Sequence, residues 1–232
     1  MQGKTIVVTG GLGALGSVVA ETAAKRGASV ALLDHAEAAP EGFAERLGAN
    51  ALLLGGVDLT SLAAAETAMA SVKSKFSRID ALLNIAGGFQ WEAIADGKLD
   101  SWDRMYAINL KTALNASKAA LPYLLESGAG RIINIGAQSA LHAASGIGPY
   151  AASKSAVHRL TESLADELKL KGVTVNAILP STIDTAQNRR DMPQADFSRW
   201  VTPADLAAVI LFLASDEARA VTGALIPVSG RV

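Results

Sequence analysis

The 232-residue chain contains no cysteine. Disulfides, thiolate metal sites and a cysteine nucleophile are therefore excluded. Histidine is scarce as well. His35, His142 and His158 are scattered and form no His-x-x-x-His pair, so no zinc site is expected. A surplus of charge is also missing. Lysine and arginine number 21 against 22 aspartates and glutamates, a net charge of −1. Nothing neutralises a nucleic-acid backbone or an anionic membrane, so neither is an expected partner. Long apolar runs are lacking too. The longest uncharged stretch lies between Arg131 and Lys154 and holds Asn, Gln, Ser, Pro and several Gly, which makes a poor membrane span. Met1-Gln2-Gly3-Lys4 leads straight into a short apolar run with no leader pattern. These absences predict a cytoplasmic protein.

What is present is a large supply of core. Half the residues are hydrophobic and 19% are charged, which excludes a largely disordered chain. The length suits one domain over residues 1–232. Apolar runs of strand length alternate with helical patterns. Strands are predicted at 5–8, 29–33, 51–54, 79–83, 131–135, 173–179 and 224–228. Helices are predicted at 14–26, 60–76, 101–125 and 150–170, with another starting at Thr202-Pro203-Ala204-Asp205. Residues 87–99 and 180–200 read as functional loops. This order predicts an α/β fold of Rossmann type: a doubly wound parallel sheet of about seven strands with helices on both faces.

The first strand runs into Thr9-Gly10-Gly11-Leu12-Gly13-Ala14-Leu15-Gly16. Gly11, Gly13 and Gly16 satisfy G-x-G-x-x-G in the required strand-turn-helix context. Glycine allows backbone to approach a pyrophosphate, and the helix N-terminus supplies amide donors. Gly10, Gly13, Leu15 and Gly16 are therefore candidate cofactor contacts. Asp34 closes the second strand, where an acid can accept from both adenosine ribose hydroxyls and repel a 2′-phosphate. It favours NAD(H) over NADP(H). Asp58 ends the third strand segment and could meet the adenine amino group or assist a helix start.

Tyr150 and Lys154 are spaced i, i+4 and share a helix face. An ammonium near a phenol lowers its pKa, and such a tyrosine can donate a proton as hydride arrives. Together, Thr9 to Gly16, Asp58, Asn84-Ile85-Ala86-Gly87, Asn109, Tyr150-Ala151-Ala152-Ser153-Lys154, Pro180 to Thr185 and Val221-Thr222-Gly223 resemble the short-chain dehydrogenases/reductases over nearly the whole chain. The resemblance implies an NAD(P)-dependent oxidoreductase acting on a small molecule. Tyr150 would be the general acid/base. Lys154 would bind the nicotinamide ribose and tune Tyr150, and Asn109 would hold a proton-relay water. Asn84, Ala86 and Gly87 would line the cofactor site, with Pro180, Ile183 and Thr185 near the nicotinamide. The family also favours a homodimer or homotetramer built on the helices at 101–125 and 150–170, which are rich in alanine.

Two departures stand out. The family turn usually reads Thr-Gly-x-x-x-Gly-x-Gly, and here Ala14 replaces its middle glycine. The usual catalytic serine, thirteen residues before the tyrosine, is Ala137, with Ser139 two residues on as a possible substitute. Losing such a donor costs a ketone reductase on the order of 10²-fold. One branch that lacks this serine, the dihydropteridine reductases, is similar locally. The likeness lies in Ala86-Gly87-Gly88, in Gly136-Ala137 to Tyr150, and from Asp184-Thr185 through Asn188-Arg189, Met192-Pro193, Ala195-Asp196-Phe197-Ser198 to Trp200. That similarity implies NADH and a quinonoid dihydropterin, a conjugated acceptor that needs no serine to polarise it. Phe89, Trp91 and Trp200 could sandwich such a ring, and Arg189-Arg190 could meet an anionic substrate. The alternatives are a 3-oxoacyl-thioester or other ketone reductase, and a non-catalytic dinucleotide-binding regulator.

Overall fold

The computed structural model describes all 232 residues. Seven parallel strands form one sheet: β1 (Thr5–Thr9), β2 (Ser29–Leu33), β3 (Ala51–Leu54), β4 (Ala81–Asn84), β5 (Arg131–Ile135), β6 (Thr174–Pro180) and β7 (Leu225–Val228). Their order is β3-β2-β1-β4-β5-β6-β7. Helix α1 (Ala14–Lys25) joins β1 to β2, and the short α2 (Phe43–Leu47) precedes β3. Helix α3 (Leu62–Phe76) leads to β4, and α4 (Leu99–Met105) with α5 (Thr112–Glu126) leads to β5. Helix α6 (Gly148–Leu168) precedes β6, and α7 (Ala186–Asp191) and α8 (Pro203–Leu213) lie between β6 and β7.

The strands read as continuous apolar runs because both faces of the sheet are covered. Ile6 and Val8 enter a core with α1 and α8, whereas Val7 enters the opposite core with α3, α5 and α6. Helix α1 buries Leu15, Val19 and Ala23, one residue per turn, and α8 packs against it. Helix α8 starts where Thr202 accepts from the Asp205 amide at 3.1 Å and the Asp205 carboxylate accepts in return, a reciprocal cap.

The structure corrects several boundaries. The helix expected at 101–125 is not one α-helix. A π-helical turn, Tyr106–Lys111, separates α4 from α5. Helix α6 begins at Gly148, because Pro149 in its first turn has no amide to satisfy. Helix α3 begins after Ser61, whose hydroxyl accepts from the Ala64 amide. Two short helices, α2 and α7, fall where no helix is predicted; five or six residues carry too little periodicity to register.

Inside the core a chain of oriented polar bonds ties β4 and β5 to α6. The Thr161 hydroxyl donates to the Val157 carbonyl at 2.8 Å, so its oxygen accepts from Asn134 Nδ2 at 2.8 Å. That fixes Asn134 Oδ1 as the acceptor for Asn84 Nδ2, also at 2.8 Å. The orientation of Asn84 is thereby set by a hydroxyl two elements away, and its own Oδ1 is left buried with no partner. Replacing Asn134 with alanine removes one buried bond from each neighbour, leaving Asn84 Nδ2 with Ser117 Oγ at 3.0 Å and Thr161 with the Val157 carbonyl. Asn134→Ala is expected to lower unfolding free energy by about 2–3 kcal/mol, measurable by urea titration. A loss under ~0.5 kcal/mol would mean the network contributes nothing net.

Candidate active site

The sheet order reverses between β1 and β4, so the loops leaving their C-terminal ends part and open a crevice. Thr9 holds its floor together. Its hydroxyl oxygen accepts from the amides of Ile85 at 3.0 Å and Ala86 at 3.1 Å. Gly10 adopts φ +63°, and a Cβ there would lie 2.9 Å from the Ala86 nitrogen. Both the backbone conformation and the close approach require glycine. A Cβ on Gly16 would collide with the Gly10 carbonyl, so the helix could not start so near the turn.

The turn keeps an open set of donors. The amides of Gly11, Leu12 and Gly13 are taken by Leu33 O, Asp34 Oδ2 and Gly10 O. The first helical bond of α1 is that of Ser17 to the Gly13 carbonyl, at 3.0 Å. Ala14, Leu15 and Gly16 therefore present amides with no partner within the helix. No side chain caps α1, and no acid lies in its first turn. A diphosphate fits this cradle by charge and by donor set. Asp34 sits beside it: Oδ2 accepts from Leu12 at 2.9 Å and Oδ1 from Ala36 at 3.0 Å. Its carboxylate braces the turn against the end of β2. Asp58 is committed locally. Its Oδ1 accepts from the Thr60 amide and hydroxyl at 2.9 and 2.7 Å, which holds its pKa below the usual aspartate value. These bonds shape the turn that leads to the Ser61 cap of α3.

The far side of the crevice is built by α6 and the π turn. Asn109, in that turn, grips Gly88 in both directions: Oδ1 accepts from its amide at 2.9 Å and Nδ2 donates to its carbonyl at 3.1 Å. Nδ2 also reaches Ser153 Oγ at 3.0 Å. Its carboxamide thus ties the π turn to Gly88 and to α6. Gly87 lies between Asn109 and Lys154, where a Cβ would come 3.4 Å from Lys154 Nζ. Lys154 is buried, and its Nζ donates to the Ile135 carbonyl at 2.8 Å. Desolvation brings its pKa down to about 8. Tyr150 moves against the expectation from sequence. Burial pushes its pKa up to about 12. The ring of Phe89 meets Tyr150 edge-on at 5.0 Å.

The remaining candidates divide. Pro180 ends β6, and Ile183 forms a bridge with Val201. Thr185 caps α7, its hydroxyl accepting from the Asn188 amide at 3.1 Å. Arg189 is not free for an anion: it makes a two-bond pair with Asp184, at 2.6 and 2.7 Å, and lies over the Phe197 ring. Trp200 is 8% exposed and packs on Phe197, so it anchors the loop instead of facing a ligand. Phe89 and Trp91 are 60% and 64% exposed. Trp91 lies against Gly146, four residues before Tyr150. Ser139 stands half-buried in a single 3-10 turn after Ala137. Two features escaped the sequence reading. The π turn has no signature in hydropathy, whereas His158, at i+8 from Tyr150 on the same stripe, was visible in the spacing.

The sequence model of the short chain dehydrogenase family matches residues 4–196. Among relatives, 2-(S)-hydroxypropyl-CoM dehydrogenase 3 of Xanthobacter autotrophicus is 32% identical over 99% of this chain and 96% of its own. The meso-2,3-butanediol dehydrogenase of Serratia marcescens is 34% identical over 98% and 93%. The 3-oxoacyl-(acyl-carrier-protein) reductase of Salmonella typhimurium is 31% identical over 99% and 97%. Carveol dehydrogenase from Mycobacterium avium, solved with NAD, superposes with a TM-score of 0.89 at 26% identity, over 99% of this chain and 97% of that one. The chain belongs to the short-chain dehydrogenase family. It is an oxidoreductase of that class, which works with nicotinamide dinucleotides.

The two shifted groups make the site's burial measurable. From about pH 8 to pH 10.5 the unfolded chain still holds the Lys154 proton while the folded chain has released it, so stability rises with pH. Above pH 10 Tyr150 acts oppositely, since the unfolded chain loses the phenol proton first. Between pH 8 and pH 10 the urea midpoint should climb more steeply for the unaltered protein than for Lys154→Met. Parallel slopes would mean that Lys154 is not desolvated.

Proposed function

We propose that this enzyme reduces a small, flat, conjugated acceptor of the quinonoid dihydropterin kind, using NADH in preference to NADPH. The observation that carries this reading is the pairing of a phenol that burial keeps protonated with a neighbouring wall, Ala137, that offers no hydroxyl. Tyr150 enters the reaction with its proton in place, the form that reduction consumes; burial makes it a weaker acid, so Lys154 must offset that as the proton leaves. A conjugated ring delocalises incoming charge and needs no second donor to polarise a carbonyl. The exposed faces of Phe89 and Trp91 suit such a ring. With Arg189 neutralised by Asp184, the bond between them supports a neutral acceptor over an anionic one.

When bound, the nicotinamide dinucleotide supplies a hydride equivalent. The chain's own residues do the rest. Ala14, Leu15 and Gly16 present amides to the diphosphate, alongside Gly10 and Gly13, which allow its approach. Asp34 accepts from the adenosine ribose hydroxyls and opposes a 2′-phosphate. Lys154 holds the second ribose. Tyr150 transfers its hydroxyl proton to the acceptor nitrogen or oxygen, and the resulting phenolate is stabilised by the Lys154 ammonium at short range. Pro180, Ile183 and Thr185 border the nicotinamide end, Asn84, Ala86 and Gly87 floor the crevice, and Asn109 keeps Gly88 in place. We place the chain in the cytoplasm, as one functional unit over residues 1–232 and as a homodimer or homotetramer. A second reading is reduction of a ketone or 3-oxoacyl thioester, which the names of the relatives favour; Ser139 would then serve as the donor.

NADH oxidation with freshly generated quinonoid dihydropterin, compared with an acetoacetyl thioester, separates the two. Faster pterin-dependent oxidation is expected, and thioester-only turnover would select the second reading. Tyr150→Phe should lower kcat by about 10²-fold or more while sparing NADH binding; an unchanged kcat would remove the proton-transfer role. Asp34→Ala should cut the preference for NADH over NADPH by roughly tenfold, read from the two kcat/KM values. An unaltered preference would assign that selection elsewhere.

A further inference from the structure

We infer that His158 is a positioning residue that clamps the Ala137 wall to helix α6 and so holds Lys154 against the cofactor's nicotinamide half. This rests on the roles proposed above for Tyr150 and Lys154. Tyr150, Lys154 and His158 stand at i, i+4 and i+8 on α6, one stripe facing the end of β5. The stripe grips that strand end twice. Lys154 Nζ donates to the Ile135 carbonyl at 2.8 Å, and the Ala137 amide donates to His158 Nε2 at 3.3 Å. The residue between them, Gly136, donates its amide to Ile178 on β6 at 2.9 Å. A Cβ on Gly136 would collide with the His158 ring, so the histidine occupies space that only glycine leaves open.

His158 is 2% exposed. A buried imidazole whose Nε2 accepts from a backbone amide carries its proton on Nδ1 and is neutral. Protonation would place two donors face to face and add a second cation one turn from Lys154. The charged groups near it are Lys154 and Arg159 on α6, the latter paired with Glu162 at 2.8 Å. Strand β6 has no titratable side chain, and β5 has only Arg131, at its opposite end. Desolvation, with Arg159 and Lys154 adding to it, holds the His158 pKa below its ordinary 6.5. The clamp is therefore intact at neutral pH and is lost as pH falls through that lowered value. Ala137 has no polar side-chain atom, so its bond to His158 is made through the backbone amide.

The test has two parts. In the unaltered protein, the nitrogen-15 shifts of His158 should report a bare Nε2 and a protonated Nδ1 at pH 7. A protonated Nε2 would overturn the clamp whatever Tyr150 does. Fluorescence titration should then compare NADH with AMP, which reaches only the adenosine end. His158→Leu should weaken NADH by about tenfold and leave AMP unchanged. His158→Gln, whose amide oxygen can accept from Ala137, should recover NADH affinity to within about threefold. It should also remove the acid-side loss of NADH affinity seen in the unaltered protein. Equal NADH affinity in all three proteins, or parallel losses for NADH and AMP, would overturn the inference. Retained turnover in Tyr150→Phe, with the expected tautomer and NADH pattern, would instead remove only the proton-transfer role.

Discussion

The hydroxyl of Thr9 joins loops that lie 76 and 77 residues apart in the chain. The crevice depends on that junction. In a parallel sheet the two strands flanking the order reversal send their loops to opposite faces, and the backbone groups at their ends lose their sheet partners. Thr9 satisfies two of those amides at once, which lets the loops part without leaving buried donors unpaired. Gly10 and Gly87 can then lie flat on the floor, and α1 can begin directly above it. The entry turn of α1 and the loop through Gly87 are consequently fixed to a common base.

A second balance governs the chemistry. Lys154 and Tyr150 share a helix face, yet burial drives their proton affinities in opposite directions, down to about 8 and up to about 12. Both shifts express one cause, the penalty for charge in a dry site. The phenolic proton is therefore held tightly and the ammonium proton loosely.

Much of this was legible before any coordinates. Continuous runs such as Ile6-Val7-Val8 announce strands covered on both faces, and the strand-helix alternation leaves few topologies to consider. The i, i+4 spacing of Tyr150 and Lys154 needs only a helix to bring them together. What sequence could not carry were the effects of packing. The direction of the Tyr150 shift depends on how much water the fold removes, a quantity with no local signature. The pairing of Arg189 with Asp184, five residues away across the start of α7, depends on a turn that residue types alone do not specify. Asp34 meets the Leu12 amide because β1 and β2 lie side by side, a contact that neither segment reveals by itself.

The π turn at Tyr106–Lys111 also sets a phase. Each residue of an α-helix advances about 100° around the axis, and a π turn accommodates one extra residue without breaking the rod. The faces of α4 and α5 are therefore offset from what an unbroken helix would give. Asn109 falls within the offset, which lets it look toward Gly88 while Ala113, Ala116 and Ala120 look toward the sheet. A chain shortened by one residue in this turn could form a more regular helix. It would also rotate the Gly88 grip and the sheet-facing alanines out of step, so regularity and the working geometry are mutually exclusive along this segment.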